Sequence, residues 1–138
     1  MPQVEFTNRD LLRSTIVEPA WYRVRIESVG EAPAKQSEKG PSTNYPIEGT
    51  VLFNGDNGST QFAGVPIDWN FNSKAMGFAV GFLKAFGVEP QAGVKIELKS
   101  AEGRELDVFI ENDTWQNRPK NQVNHKYRMP KPEVHAAA

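Results

Sequence analysis

The sequence predicts an all-β domain, a five-stranded Greek-key barrel with one α-helix between its third and fourth strands. Two observations predict this fold: five segments carry strand signals, and the one long helical pattern falls between the third and fourth of them. A sandwich would have more strands and no central helix, and a parallel α/β sheet would alternate strands with helices. The 138 residues suit one domain, which we expect over 1–130, with 131–138 a disordered C-terminal end.

The composition excludes several classes of site. The chain has no cysteine, so disulfides and thiolate metal sites are excluded, and His125 and His135 lack ligand spacing. It contains no phosphate-binding loop, nucleophile elbow or dinucleotide motif. We therefore expect no enzyme activity, no metal and no cofactor. Because no apolar run approaches the roughly 20 residues of a membrane span and no signal peptide is evident, we expect a soluble cytoplasmic protein.

The first elements are a helix and a strand. Residues 7–13 predict a short helix that Thr7 or Asn8 caps, and strict alternation over 21–29 predicts a half-buried strand. Its inner face carries Tyr22, Val24 and Ile26, and its outer face carries Trp21, Arg23, Arg25 and Glu27. The Gly-, Pro- and Ser-rich residues 30–42 predict a long mobile loop.

Two more strands follow this loop. Residues 43–53 predict the second strand, in which Pro46 requires a strand start or an edge position. Its core face carries Tyr45, Ile47, Val51 and Phe53. The sequence Asn-Gly-Asp-Asn-Gly at 54–58 is a strong hairpin signal, and it leads to a third strand over 59–69.

The long helix is predicted over 73–86, where apolar side chains recur one turn apart. This stripe consists of Ala75, Phe78, Ala79, Phe82, Leu83 and Phe86. Asn72 or Ser73 can cap the start of the helix, and Gly87 ends it.

The C-terminal third contains the last two strands. Residues 93–103 fit a strand or a short helix, 104–111 predict the fourth strand, 112–121 a polar loop and 122–128 the fifth strand. The inward positions are Leu106, Val108 and Ile110 in the fourth strand and Val123 and Tyr127 in the fifth. Outward Phe109 indicates an oligomer contact, such as that of a homodimer, or a covered edge.

This order of elements is that of the oligonucleotide-binding (OB) fold, whose ligand face lies on strands 2–3 and on the loops after the first and fourth strands. The net charge is −1, but residues 114–132 carry five basic residues and no acid, so the remainder carries −6. A basic stretch on an acidic body indicates a directed anionic partner.

Single-strand binders combine cations that follow phosphates with aromatic rings that stack on bases, and both occur near this predicted face. The candidate nucleic-acid-binding residues are Trp21, Arg23 and Arg25 in the first strand, Lys35 and Lys39 in the first loop, Tyr45 in the second strand, Trp115, Asn117, Arg118 and Lys120 in the polar loop, and Lys126 and Arg128 in the last strand. Trp115 leads them, because an indole in a polar loop has no visible core role. Trp69 shares a face with Val65 and Ile67 and is expected in the core.

Four stretches, EPAWYRVRIESV, KAMGFAVGFLKAFGV, GRELDVFIEND and NQVNHKY, also carry a family resemblance. In their order and spacing over 6–128, the chain resembles small phage-encoded single-stranded-DNA-binding proteins with an OB fold, a family long described as of unknown function. The resemblance implies a protein of the bacterial host cytoplasm that coats unwound strands in DNA replication or recombination, with replication or recombination proteins as partners. Two features differ: Ala20-Trp21 stands where these proteins usually have Gly before Tyr, and PEVHAAA lacks the acidic tip of bacterial single-strand binders.

Two other functions stay open. Phe109 and the near-neutral net charge also fit an OB-fold protein-interaction module, a recombination accessory factor or a virion component, that binds no nucleic acid. Asp107, Glu111 and Asp113 lie close in sequence and fit a metal-dependent nuclease less well, because a two-metal site needs further carboxylates from elsewhere in the chain.

Overall fold

Six antiparallel strands form one sheet in the computed structural model, which describes residues 2–33 and 40–137. The strands are β1 (Ala20–Val29), β2 (Ala32–Pro33), β3 (Thr43–Asn54), β4 (Pro66–Asn72), β5 (Glu105–Trp115) and β6 (Arg118–Arg128). The helices are α1 (Asn8–Arg13), α2 (Phe78–Lys84) and a 3₁₀ helix (Leu98–Ala101). This mostly-sheet architecture confirms the predicted all-β class.

Strand β1 lies at the centre of the sheet. It pairs with β3 on one side and with β5 on the other, β4 pairs with the far edge of β3, and β6 pairs with β5. The register of β1 against β3 shifts twice, and such bulges increase the twist of a strand. The outer strands β4 and β6 approach each other, with the rings of Trp69 and Tyr127 6.3 Å apart. No backbone ladder joins these two strands in the described ranges, so the sheet is not closed.

One face of the sheet and helix α2 enclose the core. Its buried strand residues include Tyr22, Val24, Ile26, Ile47, Val51, Ile67, Phe71, Leu106, Val108, Ile110 and Val123. From α2, Phe82 is fully buried and packs against the rings of Trp69, Phe71 and Tyr127. The inward positions predicted from alternation in the first and fourth strands are confirmed, and so is the core position of Trp69.

The predicted N-terminal helix is confirmed, with Thr7 as its cap. The Thr7 hydroxyl accepts a hydrogen bond from the Asp10 N–H, while the Asp10 carboxylate accepts one from the Thr7 N–H. This reciprocal capping box satisfies two backbone donors that a free helix end would leave unpaired.

The prediction of a third strand is wrong over residues 59–65, because β4 begins only at Pro66. The side-chain oxygen of Asn54 accepts hydrogen bonds from the N–H groups of Asp56 and Asn57, which folds the expected turn. Hydrogen bonds from Ala63 to Thr60 and from Val65 to Phe62 then form further turns, and the backbone groups of Gly64 and Val65 bond to Val51 of β3.

The long helix is shorter than predicted, because the chain forms turns over 73–77. Asn72 accepts from the Lys74 N–H, as a cap would, but Ser73 accepts from the Thr43 N–H of β3. Helix α2 therefore begins at Phe78. Of the predicted apolar stripe, Ala79, Phe82 and Leu83 are buried, Phe86 is half-buried, and Ala75 and Phe78 are exposed.

The prediction of a polar loop over 112–121 is wrong, because these residues form a β-hairpin. Strand β5 runs on to Trp115, and β6 starts at Arg118. The two residues between them, Gln116 and Asn117, have φ of 50° and 62°. Positive φ at both positions is what a two-residue type I′ turn requires.

Two other segments differ in detail from their predictions. Within the predicted loop 30–42, Ala32 and Pro33 pair with β3, and residues 34–39 lie outside the described residues. The ambiguous segment 93–103 contains the 3₁₀ helix and no strand.

Replacing Gly49 by alanine is expected to lower the free energy of unfolding by about 1–3 kcal/mol, because the change overpacks a closed contact. An added Cβ would lie 2.6 Å from Cγ1 of Val24 and 3.2 Å from the carbonyl oxygen of Arg25. Gly77→Ala is the matched control, since nothing described lies within 4 Å of its added Cβ. Urea denaturation measures both variants, and equal stability of Gly49→Ala and the wild type would contradict the packing of β1 on β3.

Candidate nucleic-acid interface

A cleft of about 650 Å³ opens where β4 and β6 leave the sheet unclosed. Helix α1 and strand β6 contribute one set of lining residues, and the outer faces of β3 and β4 contribute another. Core side chains reach the cleft from inside the sheet: Ile67, Trp69, Val123 and His125. The cleft therefore combines polar rims with an apolar floor, a composition typical of ligand sites.

Four cations are among the residues that line this cleft. They are Arg9 and Arg13 from α1 and Arg118 and Lys120 from β6. Asn121 of β6 bonds to the segment that follows α1, because its Oδ1 accepts from the Val17 N–H and its Nδ2 donates to the Thr15 carbonyl, both at 2.9 Å. None of the four cations forms an ion pair within 4.0 Å in the described part of the chain. Arg9 and Arg13 still interact with the charges of Glu27 and Asp10, so Arg118 and Lys120 are the cations most available to an external anion.

Acidic side chains line the cleft as well. Glu27, Glu48 and Asp68 lie on the outer faces of β1, β3 and β4, and Glu48 stands directly opposite Asp68 in the ladder. A hydrogen bond from Arg25 holds the pKa of Glu27 below its usual range, so this carboxylate is charged at neutral pH. The cleft is thus lined by both cations and carboxylates.

Trp115 stands at the tip of the β5–β6 hairpin with 61% of its surface exposed. It lies directly opposite Arg118 in the ladder. Arg118 and Lys120 of the same hairpin line the cleft. Its indole makes no core contact and is free to stack on a planar ligand. Asn117 occupies the turn itself, where its left-handed backbone suits asparagine.

His125 and Phe78 form an aromatic pair at the cleft that the sequence does not reveal. His125 lines the cleft floor, and the Phe78 ring stacks on its imidazole at 4.7 Å between ring centroids. Burial lowers the pKa of His125, which keeps the ring neutral at pH 7. No sequence periodicity could signal this contact, because it depends on an irregularity in β6 and on the late start of α2.

The predicted residues Trp21, Arg23 and Arg128 lie on the outer side of the sheet but do not line the cleft. Alternation predicts an exposed Arg23, and this placement is wrong: only 7% of the residue is exposed, and its Nε lies 2.7 Å from Asp107. Arg128 donates to the other oxygen of the Asp107 carboxylate at 2.9 Å, and its guanidinium lies 4.4 Å from the centre of the Trp21 ring. Both arginines are therefore paired with the buried carboxylate of Asp107, and the guanidinium of Arg128 packs on the Trp21 ring.

The turn after β3 and the C-terminal segment cover this face. Asp56, in that turn, pairs with Arg128 at 2.7 Å and with Lys131 at 2.9 Å. The N–H of Ala137 donates to the carbonyl of Gly58 in the same turn. The end of the chain, expected to be disordered, therefore lies against the sheet, and it contributes to the burial of Arg23 through the Lys131 carbonyl.

Phe109 is half-buried and has partners within its own chain. It packs edge-on against Trp21 at 5.4 Å, and the Lys126 ammonium lies 5.3 Å from its ring centre. Lys126 also pairs with Glu111 at 3.3 Å. Of the two roles expected for Phe109, a covered position fits these contacts.

The remaining predicted site residues lie away from the cleft or beside it. Arg25 is exposed and pairs with Glu27 at 2.8 Å. Tyr45 is half-buried against the core and lines a second cavity beside α2. Lys35 and Lys39 lie outside the described residues. Of the predicted residues that the structure describes, Arg118 and Lys120 line the cleft, and Trp115 and Asn117 lie beside them in the same hairpin.

The carboxylates considered for a nuclease have other partners. Asp107 bonds to two arginines, and Glu111 bonds to Lys126 and Asn124. Among the residues that the structure describes, no group of three or more His, Cys, Asp or Glu side chains could hold a metal ion. A metal site at these carboxylates would have to break the ion pairs of Asp107.

Comparison with known protein families finds no match, and neither does comparison with curated protein sequences. Within residues 2–33 and 40–137, no helix is long and apolar enough to cross a membrane. The function has to be inferred from the shape and charge of the cleft.

Proposed function

We propose that the protein is an OB-fold single-stranded-DNA-binding protein that holds one strand in the cleft between β4 and β6, with little sequence preference. The observation that carries this proposal is the β5–β6 hairpin, which presents exposed Trp115 beside Arg118 and Lys120. Cations for phosphates and rings for bases are the combination that single-strand binders use. The strand order β4-β3-β1-β5-β6, with a helix between β4 and β5, supports an OB fold.

The mixed charge of the cleft favours one strand over a duplex. Phosphates would bind at Arg118 and Lys120, which line the cleft. The carboxylates of Glu48 and Asp68, which line it as well, would repel a second backbone and can accept hydrogen bonds from base amino groups. A single strand can therefore use both kinds of lining group, the cations for its backbone and the carboxylates for its bases.

In this proposal the protein works by binding alone. Coating an unwound strand would block re-annealing and shield it during phage DNA replication or recombination, the role that the family resemblance implies. Such coating needs no cofactor. The net charge of −1 means that affinity would come from the local cations and from stacking, not from a bulk positive field.

Tryptophan fluorescence titrated with oligo-dT tests the proposal directly, because exposed Trp115 lies where a base would stack. We expect strong quenching at low salt and weaker binding as salt rises, since phosphate contacts release counterions. Duplex DNA of the same length should bind more weakly. Absence of quenching at low salt, or equal affinity for duplex, would contradict the proposal.

Trp115→Ala is expected to weaken oligo-dT binding about tenfold, the effect of one lost base-stacking contact. The variant lacks its own reporter, so the anisotropy of a labelled oligonucleotide should measure it. Phe6→Ala is the control, because Phe6 is also an exposed aromatic, is not among the residues that line the cleft and is not in the β5–β6 hairpin. Equal affinities of Trp115→Ala and the wild type would remove Trp115 from the site.

One observation favours the alternative, a protein-interaction module. A second cavity of about 750 Å³ lies between α2 and residues 90–99, and the apolar side chains of Val80 and Val94 are exposed at it. This function would apply if the wild-type chain bound no oligonucleotide and if Val94→Asp abolished binding of a defined protein partner.

A further inference from the structure

Phe78 is exposed in a position that apolar periodicity assigns to the core. It is the first residue of α2, and 57% of its surface is accessible. One face of its ring is covered by the imidazole of His125, at 4.7 Å and an interplanar angle of 26°. The imidazole therefore supports one face of the Phe78 ring, while much of the ring surface stays open to solvent.

The imidazole behind Phe78 is held in place on several sides. Its Nδ1 lies 3.0 Å from the Tyr127 hydroxyl, and the ring of Phe71 lies 5.4 Å away. His125 has a φ of 57°, a conformation that non-glycine residues rarely adopt. The ladder between β5 and β6 shifts register at this point, so a bulge in β6 aims the ring at α2. Fixed rings make better stacking surfaces than mobile ones, because less motion is lost on binding.

The aromatic pair continues the row of cations along β6. Arg118, Lys120 and His125 all line the cleft. His125 lies five positions after Lys120, and five steps along an extended strand correspond to roughly 16 Å. A strand that runs along β6 from the hairpin would meet Phe78 after its backbone has passed the cations.

We propose that Phe78, backed by the cleft-lining His125, is a stacking platform for one base of the bound single strand. This inference rests on the proposed function, and it extends the site from the β5–β6 hairpin onto helix α2. The neutral imidazole adds no charge to the platform, which suits a base more than a phosphate. The two exposed rings would then mark the two ends of the occupied stretch of DNA.

The test is a length series of oligo-dT, from about 4 to about 16 nucleotides, measured by anisotropy with the wild type, Phe78→Ala and Phe6→Ala. For the wild type, affinity should rise in a step at the length that reaches Phe78. Phe78→Ala should lose this step, with about tenfold weaker binding of long oligonucleotides and unchanged binding of short ones. Phe6→Ala should follow the wild type throughout.

Phe78→Trp provides a second readout that keeps the stacking surface. Compared with the wild type, in which Trp115 reports binding, its fluorescence should show additional quenching with long oligonucleotides and no additional quenching with short ones, and its affinities should match the wild type. If Phe78→Ala matches the wild type at every length, or weakens all lengths equally, the platform is overturned while the proposed function stands. If the wild type binds no oligonucleotide of any length, the proposed function fails and the platform fails with it.

Discussion

Replacing Asp107 by alanine is expected to lower the free energy of unfolding by about 3–5 kcal/mol. The Asp107 carboxylate has no exposed surface, and its two oxygens accept hydrogen bonds from Arg23 at 2.7 Å and Arg128 at 2.9 Å. The variant would leave the buried Arg23 guanidinium without its counter-charge. An unpaired buried charge costs far more than an exposed ion pair contributes.

Urea denaturation measures the loss, and Asp113→Ala is the matched control. Asp113 lies on the same strand, but its side chain is exposed, and among the described residues it bonds only to the neighbouring Thr114 N–H. A surface change of this kind should stay within about 0.5 kcal/mol of the wild type. A similar stability of the two variants would show that Asp107 is not the buried bridge between two arginines.

Replacing Arg23, which Asp107→Ala leaves unpaired, should restore part of the lost free energy of unfolding. Arg23→Met with Asp107→Ala is expected to cost less than the sum of the two single changes, because the double variant buries no unpaired charge. Arg128 keeps Asp56 as a partner in both backgrounds. Additive losses would indicate that Arg23 and Asp107 do not interact.

The sequence predicts the elements whose signal is local. Alternation in β1 and β5 reflects a sheet with one buried face, so its period of two survives in the sequence. The capping of α1 by Thr7 is equally local, because it involves residues three apart. These elements also fix the strand order on which the cleft depends.

The β5–β6 hairpin is hidden from sequence because both of its faces are in water. Residues 112–120 are all exposed, so no apolar side chain marks a period. The turn contains Gln116 and Asn117 where a strong signal would be Asn-Gly. A polar composition predicts a loop where strands are expected to bury one face. Here it belongs to two paired strands that have solvent on both faces.

The burial of Arg23 depends on contacts far away in the chain. Alternation tells which face of β1 a side chain occupies, but it does not tell whether another segment covers that face. The partner Asp107 is 84 residues away, and the Lys131 carbonyl that also binds Arg23 is 108 residues away. The same limit applies to Phe78, which begins α2 after a series of turns that apolar periodicity does not signal.

The largest effect on binding is expected from Arg118→Gln with Lys120→Gln, which removes two cations from the hairpin side of the cleft. Both side chains lack ion pairs in the described part of the chain, so their loss leaves no acid unpaired. Each phosphate contact on a single strand contributes about −0.7 to the slope of log K against log salt. The double variant should therefore make this slope shallower by about 1.4.

This slope separates a direct phosphate contact from a general loss of charge. At about 50 mM salt the double variant should bind oligo-dT on the order of 50-fold more weakly, and near 1 M salt its affinity should converge with that of the wild type. Lys95→Gln with Lys99→Gln removes the same charge outside the cleft and should leave the slope unchanged. Parallel slopes for all three proteins would place the phosphates elsewhere on the surface. If only the variant with Arg118→Gln and Lys120→Gln has a shallower salt slope than the wild type, the strand follows β6, where Trp115 and these two cations stand side by side.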